Sequence, residues 1–265
     1  GSYLSRLFPL YLCLFFYLKD KIMKFDFFLF IIISLFILLI YSSGERTAFF
    51  LTLIFLFLFL FTDFGKEYRK KILLFTASIV ILTSFFLPIT AKRMFTQTFN
   101  EFGFKELLQG DYNSLNFFTK LHTSHYEIGL KMFKDNIFFG QGTKNFRHLC
   151  NEPKFNTTNI IESCTTHPHN VYIQLLAETG LFGFTFFSFI FIYSIYLYIK
   201  SLNLKKLKNN KYAFSFQIII ITVIINLWPL APSNNLFNNW INVVYYLPIG
   251  FMIYFYKKSF QNINV

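Results

Sequence analysis

The stretch TTHPHNVYIQLLAETGLFG at 165–183 decides how this 265-residue chain is read. It sets two of the five histidines beside a helix start and then runs into a hydrophobic segment long enough to enter a membrane. Asn170 has the side chain of an N-cap, able to accept the free N–H groups of a helix beginning near Val171, and Pro168 suits an extended approach to it. A histidine at a helix N-terminus feels the positive end of the backbone dipole, which disfavours imidazolium and keeps the ring neutral at working pH. A neutral His169 can take a proton from a hydroxyl; the alternative is that His167 and His169 decorate an interfacial loop. Glu178 sits where this helix meets the membrane, so it has to cap, pair or face water.

Composition extends the membrane reading to the whole chain. Hydrophobic residues make up 54%, with 41 phenylalanines, and charged residues are only 14%, against about 25% in soluble domains. The formal charge of +12 does not imply nucleic acid, because the lysines and arginines fall in short clusters between apolar runs and not on one folded face.

Apolar runs occur near 3–18, 25–41, 48–62, 72–89, 181–199, 213–230 and 241–256. A spanning helix needs about 20 residues, so the first and third are short and draw on their flanks. The expectation is an all-α polytopic membrane protein with about seven transmembrane helices and a mainly helical extracytoplasmic loop domain between spans four and five. Its parts are four helices in 1–90, the loop domain in 91–180 and three helices in 181–265. The first run lacks a small-residue cleavage site and is read as a retained span.

Orientation follows from the basic residues. Lys19, Lys21 and Lys24, then Lys66, Arg69, Lys70 and Lys71, then Lys200, Lys205, Lys206, Lys208 and Lys211, then Lys257 and Lys258 follow alternate spans. The positive-inside rule puts these connections in the cytoplasm. The segments at 42–47, 90–180 and 228–240 are then extracytoplasmic.

The long segment carries both signs of charge, all five histidines and two of the three cysteines, as a small folded domain would. Ser124 to Glu127 fits a capping box, with Tyr126, Leu130 and Phe133 at helical spacing and an end near Asp135 and Asn136. FFGQGTKNFR holds Gly140 and Gly142 in a tight turn, since no strand-to-helix nucleotide unit surrounds them. Asn156-Thr157-Thr158 matches a glycosylation sequon. Cys150 and Cys164 could close a loop of about 15 residues in an oxidising compartment, stabilising by about 3 kcal/mol. The alternative is a metal pair with His148 or His167. Cys13, in an apolar run, reads as a small core residue.

Arg46, in SSGERTAFF at 42–50, puts an always-charged, bidentate guanidinium at the outer boundary. It suits a phosphate or diphosphate on a lipid carrier; a snorkelling anchor is the alternative. Arg147 is a second cation for an anionic lipid head, while Lys144, His122 and His125 read individually as surface residues. WPLAPSNNLFNNW at 228–240 is bracketed by interfacial tryptophans, and its asparagines could line a sugar-binding rim or simply favour turns.

Four stretches together resemble the O-antigen ligase and O-antigen polymerase family of bacterial membrane glycosyltransferases. They are SGERTAFF at 43–50, HYEIGLKMFKDNIFFGQGTKNFRHLC at 125–150, CTTHPHNVYIQLLAETGLFGF at 164–184 and WPLAPSNNLFNNW at 228–240. The His-Asn pair followed by QLLAETG is the most specific. Members usually have about ten or more spans, so the chain looks like the C-terminal part of a longer protein.

The resemblance implies transfer of a glycan from undecaprenyl diphosphate to a sugar hydroxyl, such as one on lipid A-core. It implies an inverting reaction without cofactor or metal, on the periplasmic face of the bacterial inner membrane; a polymerase joining lipid-linked repeat units shares the architecture. By motif, His169 is the base and Arg46 engages the diphosphate. Arg147, His125, His167, Glu178 and Asn170 fall to substrate binding, with His125 standing where many members have arginine. The Cys150 and Cys164 pair resembles a subgroup with a periplasmic disulfide. The expected partners are the lipid-linked donor, the glycan acceptor and the bilayer. A transporter, the more remote alternative, would carry ionisable residues or broken helices at mid-membrane, and the spans are nearly free of charge.

Overall fold

The computed structural model describes residues 1–103, 108, 118–156, 163–203 and 211–261. Among them there is no strand. The helices are α1 (Ser2–Tyr17), α2 (Phe25–Ser42), α3 (Arg46–Phe59), α4 (Asp63–Phe86), α5 (Pro88–Ala91), α6 (Thr98–Glu101), α7 (Lys120–Asp135), α8 (Phe146–Leu149), α9 (Val171–Asn203), α10 (Lys211–Asn226) and α11 (Asn239–Gln261). A π-helical turn, Lys92–Gln97, separates α5 from α6.

The all-helical membrane class holds, and two or three of the expected spans are met by helices among the described residues. Phe25–Ser42 and Val171–Leu202 are long and apolar enough to cross a bilayer, and a third span results if α4 and the bent segment after it are taken together. The 14 residues of α3 reach about 21 Å at 1.5 Å per residue, short of a hydrocarbon core of about 30 Å. Pro88 ends α4, because the residue before a proline is pushed out of the helical region, and Leu87 has φ −123° and ψ 68°.

The chain divides into two compact units. One comprises Gly1–Met94, Tyr193–Leu227 and Val244–Val265; the other comprises Phe95–Ile192 and Trp228–Val243. In the first unit α1 packs on α10 and α3, and α2 on α4. The contacts are phenylalanine-rich: the Phe16 ring lies 4.7 Å from Phe64, 4.5 Å from Phe214 and 5.1 Å from Phe25. Cys13 and Ser215 exchange side-chain to carbonyl contacts across α1 and α10, and Cys13 is indeed buried. Arg6, unremarked in the sequence, is 2% exposed. Its guanidinium donates to the Asn226 carbonyl at 2.9 Å and lies over the Tyr245 ring. A cation at the carbonyl-rich end of α10 complements its dipole, so Arg6 locks α1 to the end of α10.

The second unit has a core of Ile128, Met132, Phe146, Cys150, Phe155 and Ala177, with Leu149 and Cys164 against it. Cys150 and Cys164 are joined in a disulfide, so neither thiolate is left for the metal pairing considered above. Helix α7 starts a turn earlier than the capping-box reading. Thr119 is its N-cap, accepting from the His122 N–H, while Ser124 donates to the Leu121 carbonyl at 2.8 Å inside the helix. Its end at Asp135 falls where the periodicity put it. Gly129 lets α7 approach α9, since a Cβ there would lie 2.6 Å from the Ile173 side chain. Of the sequon, Asn156 donates to Ser163 at 3.0 Å, and Thr157 and Thr158 lie outside the described residues, as do Lys205, Lys206 and Lys208.

Candidate functional site

The histidine turn is built as the sequence suggests at its helix start and differently at its rings. Asn170 Oδ1 accepts the N–H of Tyr172 at 2.9 Å and of Ile173 at 3.1 Å, and its Nδ2 donates to the Pro229 carbonyl at 2.7 Å. It caps α9 and ties the cap to the 228–240 loop. His169, immediately before the cap, has φ 56°. A non-glycine residue in the left-handed region costs about 1–3 kcal/mol and persists only where its surroundings over-determine it.

Those surroundings are visible. The His169 carbonyl accepts the Ser233 N–H at 2.8 Å. The His167 Nε2 lies 3.0 Å from the Ser233 carbonyl, which can only accept, so Nε2 carries the proton. His167 Nδ1 then accepts from the Thr166 hydroxyl at 2.9 Å. Thr165 closes the turn by donating to the His167 carbonyl at 2.7 Å. Two strands of backbone are thus clamped through Ser233, and His169 is held with its ring among three others. His167 lies 4.3 Å from it, His125 5.3 Å and His122 5.9 Å, centroid to centroid. Among the described residues no three His, Cys, Asp or Glu side chains are placed to hold a metal ion.

The electrostatics follow. Burial first, then the neighbouring His167, His125 and His122, push the His169 imidazolium down to about 4 from an ordinary 6.5. The ring is neutral at working pH, as expected from the sequence, with desolvation as the largest cause. His167 is lowered too, by burial, against the Ser233 carbonyl that favours its proton. Burial pushes the Tyr126 phenol up to about 12, so its hydroxyl keeps its proton beside the cluster.

A second, wholly buried network stands on the next turns of α9. Gln174 Nε2 donates to Glu178 Oε2 at 3.0 Å and to Asn235 Oδ1 at 2.8 Å, while Gln174 Oε1 accepts the Leu236 N–H at 3.0 Å. Glu178 Oε1 accepts the Phe146 N–H at 2.9 Å. Glu178 is 1% exposed and Gln174 0%. The sequence reading put Glu178 with the substrate; the structure gives both of its oxygens to protein donors, which satisfies the demand that a carboxylate there cap or pair. Gln174 was missed, although Asn170, Gln174 and Glu178 follow one another at i+4 and therefore share a face. His122 was passed over for the same reason, three residues from His125 on α7. Asn235 is buried in this network, not on a rim, whereas Asn234, Asn238 and Asn239 are exposed.

Arg147 is exposed, and its charge adds, after burial and His125, to the lowering of His167. Arg46 belongs to the other compact unit, at the first position of α3 after the Gly44 turn with φ 65°, and is half-buried.

The fold and site together define a helical membrane protein with a neutral histidine fixed at the head of a membrane-spanning helix, on a disulfide-tied unit. The chain belongs to the O-antigen ligase family, whose profile matches residues 28–188. The match begins in α2 and ends in α9, so it includes Arg46, the disulfide and all four clustered histidines, and stops short of the 228–240 loop. Comparisons with curated proteins and with solved structures found no match. Membership makes this a membrane-integral, glycosyltransferase-like protein of the O-antigen ligase type, working on lipid-linked glycan.

Proposed function

We propose that the protein transfers a polysaccharide from undecaprenyl diphosphate to an acceptor sugar hydroxyl such as one on lipid A-core, at the periplasmic face of the inner membrane, with the 91–180 segment as the periplasmic domain. The observation that carries the assignment is the neutral His169 ring, held on strained backbone by the Ser233 clamp. In this reading His169 accepts the acceptor hydroxyl proton as the oxygen attacks the anomeric carbon. The bond from that carbon to the diphosphate oxygen breaks, and configuration inverts. Arg46 binds the departing diphosphate and spreads its charge. Arg147 and His125 are additional contacts for the donor, and no metal is required for any step.

An imidazole pushed down to about 4 is a weak base in the free protein. A diphosphate brought beside it favours imidazolium, so the base strengthens when the anionic donor binds. His167, whose two ring nitrogens are both engaged, positions the turn.

The test is transfer in membranes supplied with lipid-linked glycan, with and without lipid A-core. Product on lipid A-core that disappears in His169→Ala, at unchanged membrane insertion, is the expected result. Longer lipid-linked chains without core product would make the protein a polymerase, and full activity in His169→Ala would end the assignment.

A further inference from the structure

The turn between α7 and α8 meets α9 at the place where α9 breaks. Gly180, with φ 62° and ψ −155°, interrupts the helix between its outer turns and its long apolar part. A break of this kind frees backbone groups on both sides. Here the Leu181 and Phe182 N–H groups donate to the carbonyls of Ile137 at 2.8 Å and Phe138 at 3.3 Å, and the Gln141 and Gly142 N–H groups donate to the carbonyls of Ala177 at 2.9 Å and Glu178 at 3.0 Å. The two glycines make the approach possible: a Cβ on Gly140 would lie 2.5 Å from the Glu178 carbonyl carbon, and one on Gly180 2.5 Å from Phe138 backbone. Gly140 has φ 65° as well.

At this junction the backbone is closed to solvent while the side chains are open. Phe138 is 68% exposed and Phe139 72%. Just past the break Phe182 and Phe186, one helical turn apart on the same face, are 76% and 65% exposed. In water a helix break can be hydrated, and two adjacent phenyl rings at a turn are a liability. In hydrocarbon the requirements reverse: irregular backbone is tolerated only where protein satisfies its polar groups, and aromatic rings are at home. Of the turn's two polar side chains, Asn136 is exposed and its Oδ1 accepts the Phe139 N–H, while Gln141 is directed to protein. Gln141 Nε2 donates to the Met132 carbonyl and to Asp135, and Asp135 pairs with Lys154.

We propose that the turn at 136–142 is seated in the bilayer, with Phe138 and Phe139 packed against lipid acyl chains as a continuation of the lipid-facing surface of α9. It anchors the polar unit at a set height. The ten residues from Asn170 to Gly180 put the histidine turn at most about 15 Å along the helix from the break, at 1.5 Å per residue. That spacing carries His169 beyond a headgroup layer of about 5–7 Å to the level where a lipid-linked glycan begins. The proposal holds whatever the glycan and whichever residue is the base.

Two measurements test it on the intact chain. Wild-type protein in phosphatidylethanolamine and phosphatidylglycerol vesicles free of polyprenyl lipid, with a photoactivatable diazirine on one acyl chain, should crosslink at 137–139 as well as along α9. Crosslinks confined to α9, with none in the turn, overturn the proposal. In the same vesicles a spin label at Phe139→Cys, or at Phe138→Cys should the first fold poorly, should collide with oxygen in preference to a water-soluble nickel chelate, as a label at Phe186→Cys does. Collision behaviour like that of Glu152→Cys, in the exposed loop, also overturns it. Crosslinking only when polyprenyl lipid is added would reassign the surface to the donor's tail and end the bilayer reading.

Discussion

Phe16, in the unit built around α1 and α10, is surrounded by Phe25, Phe64 and Phe214, whereas Gln174 and Glu178, in the unit around α7 and the head of α9, are surrounded by amide and backbone donors. Both sets of side chains are buried, but they are replaceable to very different degrees. A phenyl ring in an apolar bundle can be exchanged for another apolar group at the cost of some packing. A buried amide whose oxygen and nitrogen bridge a carboxylate, an asparagine and a backbone N–H has no substitute, because each partner left alone forfeits its own desolvation. The unit with these polar groups is also the one that holds a left-handed histidine in place.

The largest effect expected is on chemistry. His169→Ala should lower transfer by about 10²–10⁴-fold without removing the protein from the membrane, as measured with lipid-linked donor. Arg46→Ala should cost about 10²–10³-fold, and a double variant tells whether the two residues share one reaction: losses that fail to multiply mean that they do.

Within the polar unit, removal of the Cys150 and Cys164 bridge in a double serine variant should cost about 3 kcal/mol by chain entropy, read as a lowered unfolding midpoint that reductant does not lower further. Gln174→Leu, of similar volume, should cost about 1–3 kcal/mol, since Glu178, Asn235 and the Leu236 N–H lose a partner. Asn170→Ala should cost about 1 kcal/mol through the cap, plus what the Pro229 contact contributes. In the phenylalanine-rich unit Ile219→Val, at a fully buried position, should cost about 0.5–1.5 kcal/mol. If that substitution proved as damaging as Gln174→Leu, the contrast between the units would be wrong.

Acid separates the units in another way. The folded protein holds His169 at about 4 against an ordinary 6.5, so between these values the unfolded chain binds more protons. Stability from this residue is complete above about 6.5, falls as pH drops through the window and levels off below about 4. Thermal midpoints of wild type and His169→Gln should therefore converge or cross as pH is lowered from 7 to 4; parallel curves would mean an unshifted histidine.

Helix α9 shows how much could be read ahead. Asn170 as cap, Val171 as first residue and a membrane segment beyond Gly180 were all legible, because capping and hydropathy are local. The clustering of His122 and His125 with His169 was not, since they precede it by 47 and 44 residues and packing of α7 on α9 through Gly129 brings them together. Of the seven apolar runs, those at 25–41 and 181–199 lie in single helices long and apolar enough to span, while α3 is short and α4 ends before Pro88, because hydropathy registers apolar character and not the length of uninterrupted helix.

Local chemistry by itself determined the membrane class, the start of α9, the turn glycines and, through four short motifs, the family. Tertiary structure alone decided that both Glu178 oxygens meet protein donors, that His167 donates to Ser233, that the Cys150 and Cys164 sulfurs bond each other, and that the break at Gly180 is filled by the turn at 136–142. Each of these depends on which distant donor meets which acceptor. No sequence period encodes that choice, because it follows from satisfying every buried polar group at once.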